Sequence, residues 1–117
     1  MACSPVILVV DDDDRVRSLI ARILTESGYV VLDAPDGQEA ADLLTAIEPA
    51  LLMTDSRMPR MTGEALIAAA RARNPDLRIV RVTGAGDPFE GVPTLRKPFS
   101  DDELLEVVRQ SLEYSPP

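Results

Sequence analysis

Asp11, Asp12 and Asp55 bring carboxylate oxygens to this 117-residue sequence, Thr83 a hydroxyl and Lys97 an ammonium, and each stands at the end of an apolar or β-branched run. Val6-Ile7-Leu8-Val9-Val10 stops at Asp11-Asp12-Asp13-Asp14. Ala50-Leu51-Leu52-Met53 leads through Thr54 to Asp55, Arg78-Ile79-Val80-Arg81-Val82 ends at Thr83, and Thr94-Leu95-Arg96 precedes Lys97. Runs without solvent-facing alternation suit parallel strands covered on both faces. Open α/β sheets gather their ligands at the carboxyl ends of such strands. Two or three carboxylates with a backbone carbonyl make an oxygen-rich site suited to magnesium, which keeps several waters, and a hydroxyl and an ammonium beside them would face a phosphoryl group. A plainer reading competes. An acidic run is often the first turn of a helix, where the macrodipole favours it, and a lone Asp55 could simply start a turn. The helix reading accounts for Asp13 and Asp14 but leaves Asp11 and Asp12 at the end of a buried strand, where a cation between them would relieve their repulsion.

The positioning elements follow from periodicity. Val16, Leu19, Ile20, Ile23 and Leu24 form the apolar stripe of a first helix, closed at Ser27-Gly28 by a left-handed cap. Tyr29-Val30-Val31-Leu32 reads as a strand. Asp36 caps a second helix with Glu39 three residues on; Ala40, Leu43, Leu44 and Ile47 are its buried stripe and Pro49 stops it. Thr62 caps a third helix that carries Glu64 in its first turn and buries Leu66, Ile67 and Ala70, until Asn74-Pro75 breaks the pattern. Ser100-Asp101-Asp102-Glu103 is a capping box, with Phe99 and Leu104 as its staple, before a last stripe of Leu104, Leu105, Val108 and Leu112. Alternating strands and helices imply an α/β fold, a single doubly wound five-stranded parallel sheet.

Composition narrows the chemistry. The formal charge of −8 argues against binding nucleic acid through this domain, because such binding rests on Lys and Arg neutralising phosphates. No segment approaches the ~20 apolar residues of a membrane span, and the N-terminus lacks the pattern of a secretory signal. A cytoplasmic location and no membrane partner are the expectations. The absence of histidine removes ordinary zinc sites and Ser-His or Cys-His nucleophile pairs, and the single Cys3 excludes an internal disulfide. One lysine, Lys97, stands against eleven arginines. Residues 1–5 read as a leader, 6–114 as the domain and 115–117 as a tail.

Val-Val-Asp-Asp at 9–12, Met-Thr-Asp-Ser-Arg-Met-Pro-Arg-Met-Thr-Gly at 53–63, Val-Thr-Gly at 82–84 and Arg-Lys-Pro-Phe at 96–99 together resemble the receiver domain of two-component response regulators. The resemblance runs from about Val6 to Leu112. It implies a flavodoxin-like strand order 2-1-3-4-5. It also implies that Asp55 is the phosphoacceptor, with Mg2+ held by Asp12, Asp55 and the backbone carbonyl of Arg57, and with Asp11 behind them or acting through water. Thr83 and Lys97 would hold phosphoryl oxygens, and a cis Lys97-Pro98 bond would aim the ammonium at the site. A compact point charge, where a planar guanidinium would not serve, accounts for the one retained lysine. Without histidine the chain needs a separate histidine kinase or histidine phosphotransfer protein as donor. It would be a switch toward a downstream protein, not an enzyme turning over a foreign substrate.

Two positions depart from the family. Only thirteen residues separate Thr83 from Lys97, and they are rich in Gly and Pro, so the family's fourth helix is expected to be missing or reduced. Thr94 stands where the family commonly has Tyr or Phe. Shortened receivers of this kind resemble those of hybrid histidine kinases and some stand-alone receivers. Competing readings are a pseudo-receiver that works as an adaptor without phosphorylation, an aspartyl-phosphate phosphatase, for which Arg57 stands where a second Asp would be required, and a flavin-binding relative, whose phosphate the bare carboxylates would repel.

Overall fold

Strand and helix alternate as the periodicity predicts from residue 6 to residue 83, and a last strand and helix follow from residue 94. The computed structural model describes residues 5–56, 58, 61–84 and 92–113. Their elements are β1 (Val6–Val10), α1 (Asp14–Glu26), β2 (Val30–Ala34), α2 (Gly37–Leu44), β3 (Leu51–Asp55), α3 (Gly63–Arg73), β4 (Arg78–Thr83), β5 (Thr94–Arg96) and α4 (Asp101–Glu113). The strands form one parallel sheet in the order β2-β1-β3-β4-β5. Val10 pairs with Thr54, Asp55 with Val82 and Thr83 with Arg96, so the carboxyl ends of four strands finish at nearly the same level.

The side-chain period of two along each strand divides the core into two layers. Leu8, Val10, Leu52 and Ile79 face α2 and α3, meeting Ala40, Leu44, Leu66, Ile67 and Ala70. Their neighbours Ile7, Val9, Leu51, Met53, Val80 and Val82 face α1 and α4, meeting Ile20, Ile23, Leu24, Leu104 and Val108. Every residue of β3 is buried. Its hydrophobic run therefore reports its place at the centre of the sheet, and truncating a side chain such as Leu52 to alanine should cost about 2–5 kcal/mol.

Helix starts are held as the sequence indicates. Asp36 Oδ1 accepts from Glu39 N at 2.9 Å and Thr62 Oγ1 from Ala65 N at 3.1 Å. Ser100 and Glu103 exchange reciprocal bonds of 3.0 and 3.1 Å. Gly28 adopts φ +98° after α1, the left-handed conformation expected of its cap.

The structure adds to or departs from the periodic reading at four places. Leu19 is 38% exposed, at the margin of the α1 stripe. Val30 is 46% exposed because β2 is an edge strand whose outer end the short α2 leaves uncovered. Helix α2 ends at Leu44, so Ile47 lies past it, although Ile47 N still bonds to Leu43 O at 3.0 Å. Arg81, within a run read as strand, is buried and paired with Glu64 of α3 at 3.1 Å. The described residues form four helices. The expected loss of the family's fourth helix concerns the stretch 84–93, of which 85–91 lie outside the described residues.

Candidate functional site

Four consecutive aspartates leave β1, and each does something different. The Asp11 backbone N–H donates to Ala34 O at 3.3 Å, extending the ladder toward β2, and its side chain is 1% exposed. One of its oxygens, Oδ1, accepts from Asp13 N at 2.9 Å. Asp12 turns outward and is exposed. Asp13 is the N-cap of α1, accepting from Arg15 N at 2.9 Å and Val16 N at 3.3 Å. Asp14 begins the helix and meets Arg17 at 2.6 Å. The helix-start reading thus holds for Asp13 and Asp14 and leaves Asp11 and Asp12 for the site.

Arg17 anchors this turn. Its guanidinium donates to Asp11 O at 2.8 Å and lies 3.4 Å from Asp33 of β2, besides its contact with Asp14. One side chain therefore ties the end of β1, the start of α1 and the neighbouring strand together. Burial opposes the charge on Arg17, but Asp14 and Asp33 outweigh it and raise its pKa above the ordinary value.

Asp55 ends β3 beside β1, and carboxylate oxygens of Asp11, Asp12 and Asp55 all lie within 4.8 Å of one another. The Lys97 ammonium enters from β5, 3.1 Å from Asp11 Oδ2 and 3.5 Å from Asp55 Oδ2. Desolvation pulls the Lys97 pKa down, yet pairing with Asp11 and then Asp55 prevails and raises it above the ordinary lysine value. Asp11 Oδ2 is buried and meets this ammonium as an ion pair without hydrogen-bond alignment. A hard oxygen donor set with a buried oxygen lacking a hydrogen bond fits a divalent cation of the magnesium type.

Thr83 is held at both ends. Its carbonyl accepts from Lys97 N at 2.8 Å, and its hydroxyl accepts from the Ser56 hydroxyl at 3.1 Å. Ser56 N donates to Val82 O at 3.1 Å, so the β3–β4 ladder continues one residue past Asp55. Behind it, Gly63 N donates to Ser56 O at 3.3 Å, and a Cβ on Gly63 would collide with the Asp55 carbonyl oxygen. Glycine opens α3 because the turn carrying Asp55 folds onto its backbone.

The structure brings Asp11, Asp12, Asp55 and Lys97 to one crevice and joins Thr83 to them through Lys97 N. Arg57, expected to offer its carbonyl, lies outside the described residues. The Lys97-Pro98 bond is cis, as the resemblance implies. Sequence reasoning gave no role to Arg17, Ser56 or Gly63. A cation three residues after Asp14, on the same helix face, was the available signal for Arg17; a glycine at a first helical position, where it is a poor helix former, was the signal for Gly63. Ser56 carried none, since its partner is 27 residues away in sequence. A groove lined by Leu77, Ile79, Val92 and Val107 opens at the amino ends of β4 and β5, away from these carboxylates.

Comparison with known proteins agrees with this geometry. Residues 7–109 match the family model of the response regulator receiver domain. The response regulator MprA of Mycolicibacterium vanbaalenii is 37% identical over 119 residues, covering 95% of this chain and 52% of its own length. The DNA-binding transcriptional regulator NtrC of Klebsiella pneumoniae is 32% identical over 114 residues, 91% of this chain and 24% of its own. The chain thus spans about half the length, or less, of these curated relatives. Among solved structures, the receiver domain of the hybrid histidine kinase CckA superposes with TM-score 0.84 at 36% identity, covering 92% of this chain and 99% of that one. The chemotaxis protein CheY4 of Vibrio cholerae gives 0.87 at 27% identity, covering 93% and 99%. With the sheet order, the clustered carboxylates and a match across most of its length, the chain belongs to the response regulator receiver domain family.

Proposed function

We propose that Asp55 accepts a phosphoryl group from a histidine kinase or histidine phosphotransfer protein, and that the resulting acylphosphate changes how the domain meets a downstream protein in the cytoplasm. An oxygen of the Asp55 carboxylate attacks phosphorus in line with the bond to the donor nitrogen. That bond breaks, its electron pair stays with the imidazole, and a mixed anhydride forms on Asp55. Phosphoryl transfer of this kind depends on positioning and charge neutralisation more than on covalent help. Asp12 and Asp55, with Asp11 behind them and the Arg57 carbonyl, would hold Mg2+, which supplies neutralising charge to the transferring oxygens. Lys97 contributes the second positive charge, and the Thr83 hydroxyl a hydrogen bond to a phosphoryl oxygen. The domain works on itself: it speeds the formation and hydrolysis of its own acylphosphate and turns over no foreign substrate.

One observation carries this reading. An ammonium lies 3.5 Å from a strand-end carboxylate that also belongs to a cluster of three carboxylates. A nucleophile, a cation site and a fixed positive charge are then the parts an acylphosphate requires. Incubation with acetyl phosphate and magnesium should add one phosphoryl group by intact mass, and chelation of the magnesium should prevent it. An unchanged mass with magnesium present would contradict the reading.

A further inference from the structure

Ser56 has no part in the chemistry above, yet the residue is 6% exposed and its hydroxyl donates to that of Thr83, itself 2% exposed, across 3.1 Å. The ladder explains why they meet. Asp55 pairs with Val82 and Ser56 N bonds to Val82 O, so in a parallel sheet Ser56 stands opposite Thr83. Side chains alternate between faces. Asp55 follows Leu51 and Met53, which face α1 and α4, whereas Ser56 and Thr83 continue the opposite face, that of Leu52 and Ile79. The Thr83 hydroxyl is therefore bonded on the side of the sheet away from the Asp55 carboxylate.

We propose that Ser56 is a positioning residue that acts through Thr83, holding its hydroxyl back from the site and so opposing occupation of Asp55 by a phosphoryl group. The inference rests on the reading of Asp55 as phosphoacceptor and of Thr83 as a donor to phosphoryl oxygens. Breaking a buried neutral hydrogen bond in one of two states shifts their equilibrium by the net worth of that bond. In this chain the residue after the nucleophile thus sets how readily the site is filled. The bond also stabilises the empty protein, so loss of the Ser56 hydroxyl has opposite effects on two measurements. The fold weakens while the occupied state is favoured. A residue serving only the packing of the turn would weaken the fold and leave occupation unchanged or impaired.

The probe is beryllium fluoride with saturating magnesium, a tetrahedral stand-in for a phosphoryl group, titrated calorimetrically into the folded domain. Ser56→Ala should melt at a lower temperature than the original protein yet bind the probe about three- to tenfold more tightly, the factor expected for one such hydrogen bond. Ser56→Cys, close in size and a weak donor, should lie between the two and guards against a packing artefact. If the original protein binds the probe while Ser56→Ala and Ser56→Cys bind it equally or less well, Ser56 does not restrain Thr83 and the inference is overturned. If no version binds it, the reading of Asp55 falls, and the restraint with it.

Discussion

The Lys97 ammonium sits 3.1 Å from the buried carboxylate of Asp11, on the near side of the same crevice that Asp55 enters. A fixed cation thus occupies part of the negative field that a divalent ion would use. On the proposed reading the two positive charges would be partners toward a phosphoryl group and competitors toward the carboxylates when no phosphoryl group is present.

That competition has a measurable sign. Lys97→Met should bind magnesium more tightly than the original protein, because a positive charge beside Asp11 and Asp55 has gone, yet acquire phosphoryl from acetyl phosphate more slowly. Parallel magnesium titration and mass-resolved phosphorylation check both halves. Weaker magnesium binding by the variant would contradict the electrostatic account.

The same pairing fixes an alkaline limit. Because the folded pKa of Lys97 is raised from 10.5, its pairing contributes stability that is complete below the unfolded value and is lost as pH rises through the folded one. Urea unfolding at increasing pH should show this loss in the original protein and a smaller one in Lys97→Met over the same alkaline range.

Asp12 is the exposed member of the carboxylate cluster. Asp12→Asn should leave the fold within about 0.5 kcal/mol of the original, as surface substitutions do. It should weaken magnesium by more than about tenfold, at least what loss of an outer partner of a metal ligand costs. Calorimetric titration would read the second and urea unfolding the first.

Arg17 predicts the reverse pattern. Arg17→Met removes a charge-assisted bond to Asp11 O and contacts with Asp14 and Asp33. It should cost about 1.5–3 kcal/mol of stability, read as a lower urea midpoint at unchanged slope.

The legibility of this domain in its sequence divides along one line. Whatever depends on local pattern could be read: the buried run of β3 and the capping pairs at Asp36 and Thr62 and within Ser100 to Glu103. The arrival of Asp11, Asp12, Asp55, Thr83 and Lys97 at strand ends was equally legible, since parallel strands gather their carboxyl ends along one edge. What depends on the neighbour across the sheet could not. Periodicity is blind to whether β2 has an outer companion, so it gave no warning that Val30 would be exposed at an edge. Ser56 meets Thr83 only once the register of β3 against β4 is known. Arg17 lies between: its pair with Asp14 is a helix spacing, but its reach to Asp11 O and Asp33 is tertiary.

The central claim is that Asp55 is the nucleophile, and locating the phosphoryl group tests it most directly. After reaction with acetyl phosphate and magnesium, rapid fragmentation and mass spectrometry should place the added group on Asp55, and Asp55→Asn should remain unmodified under the same conditions. A phosphoryl group found on another residue, or an Asp55→Asn protein modified as fully as the original, would contradict the account.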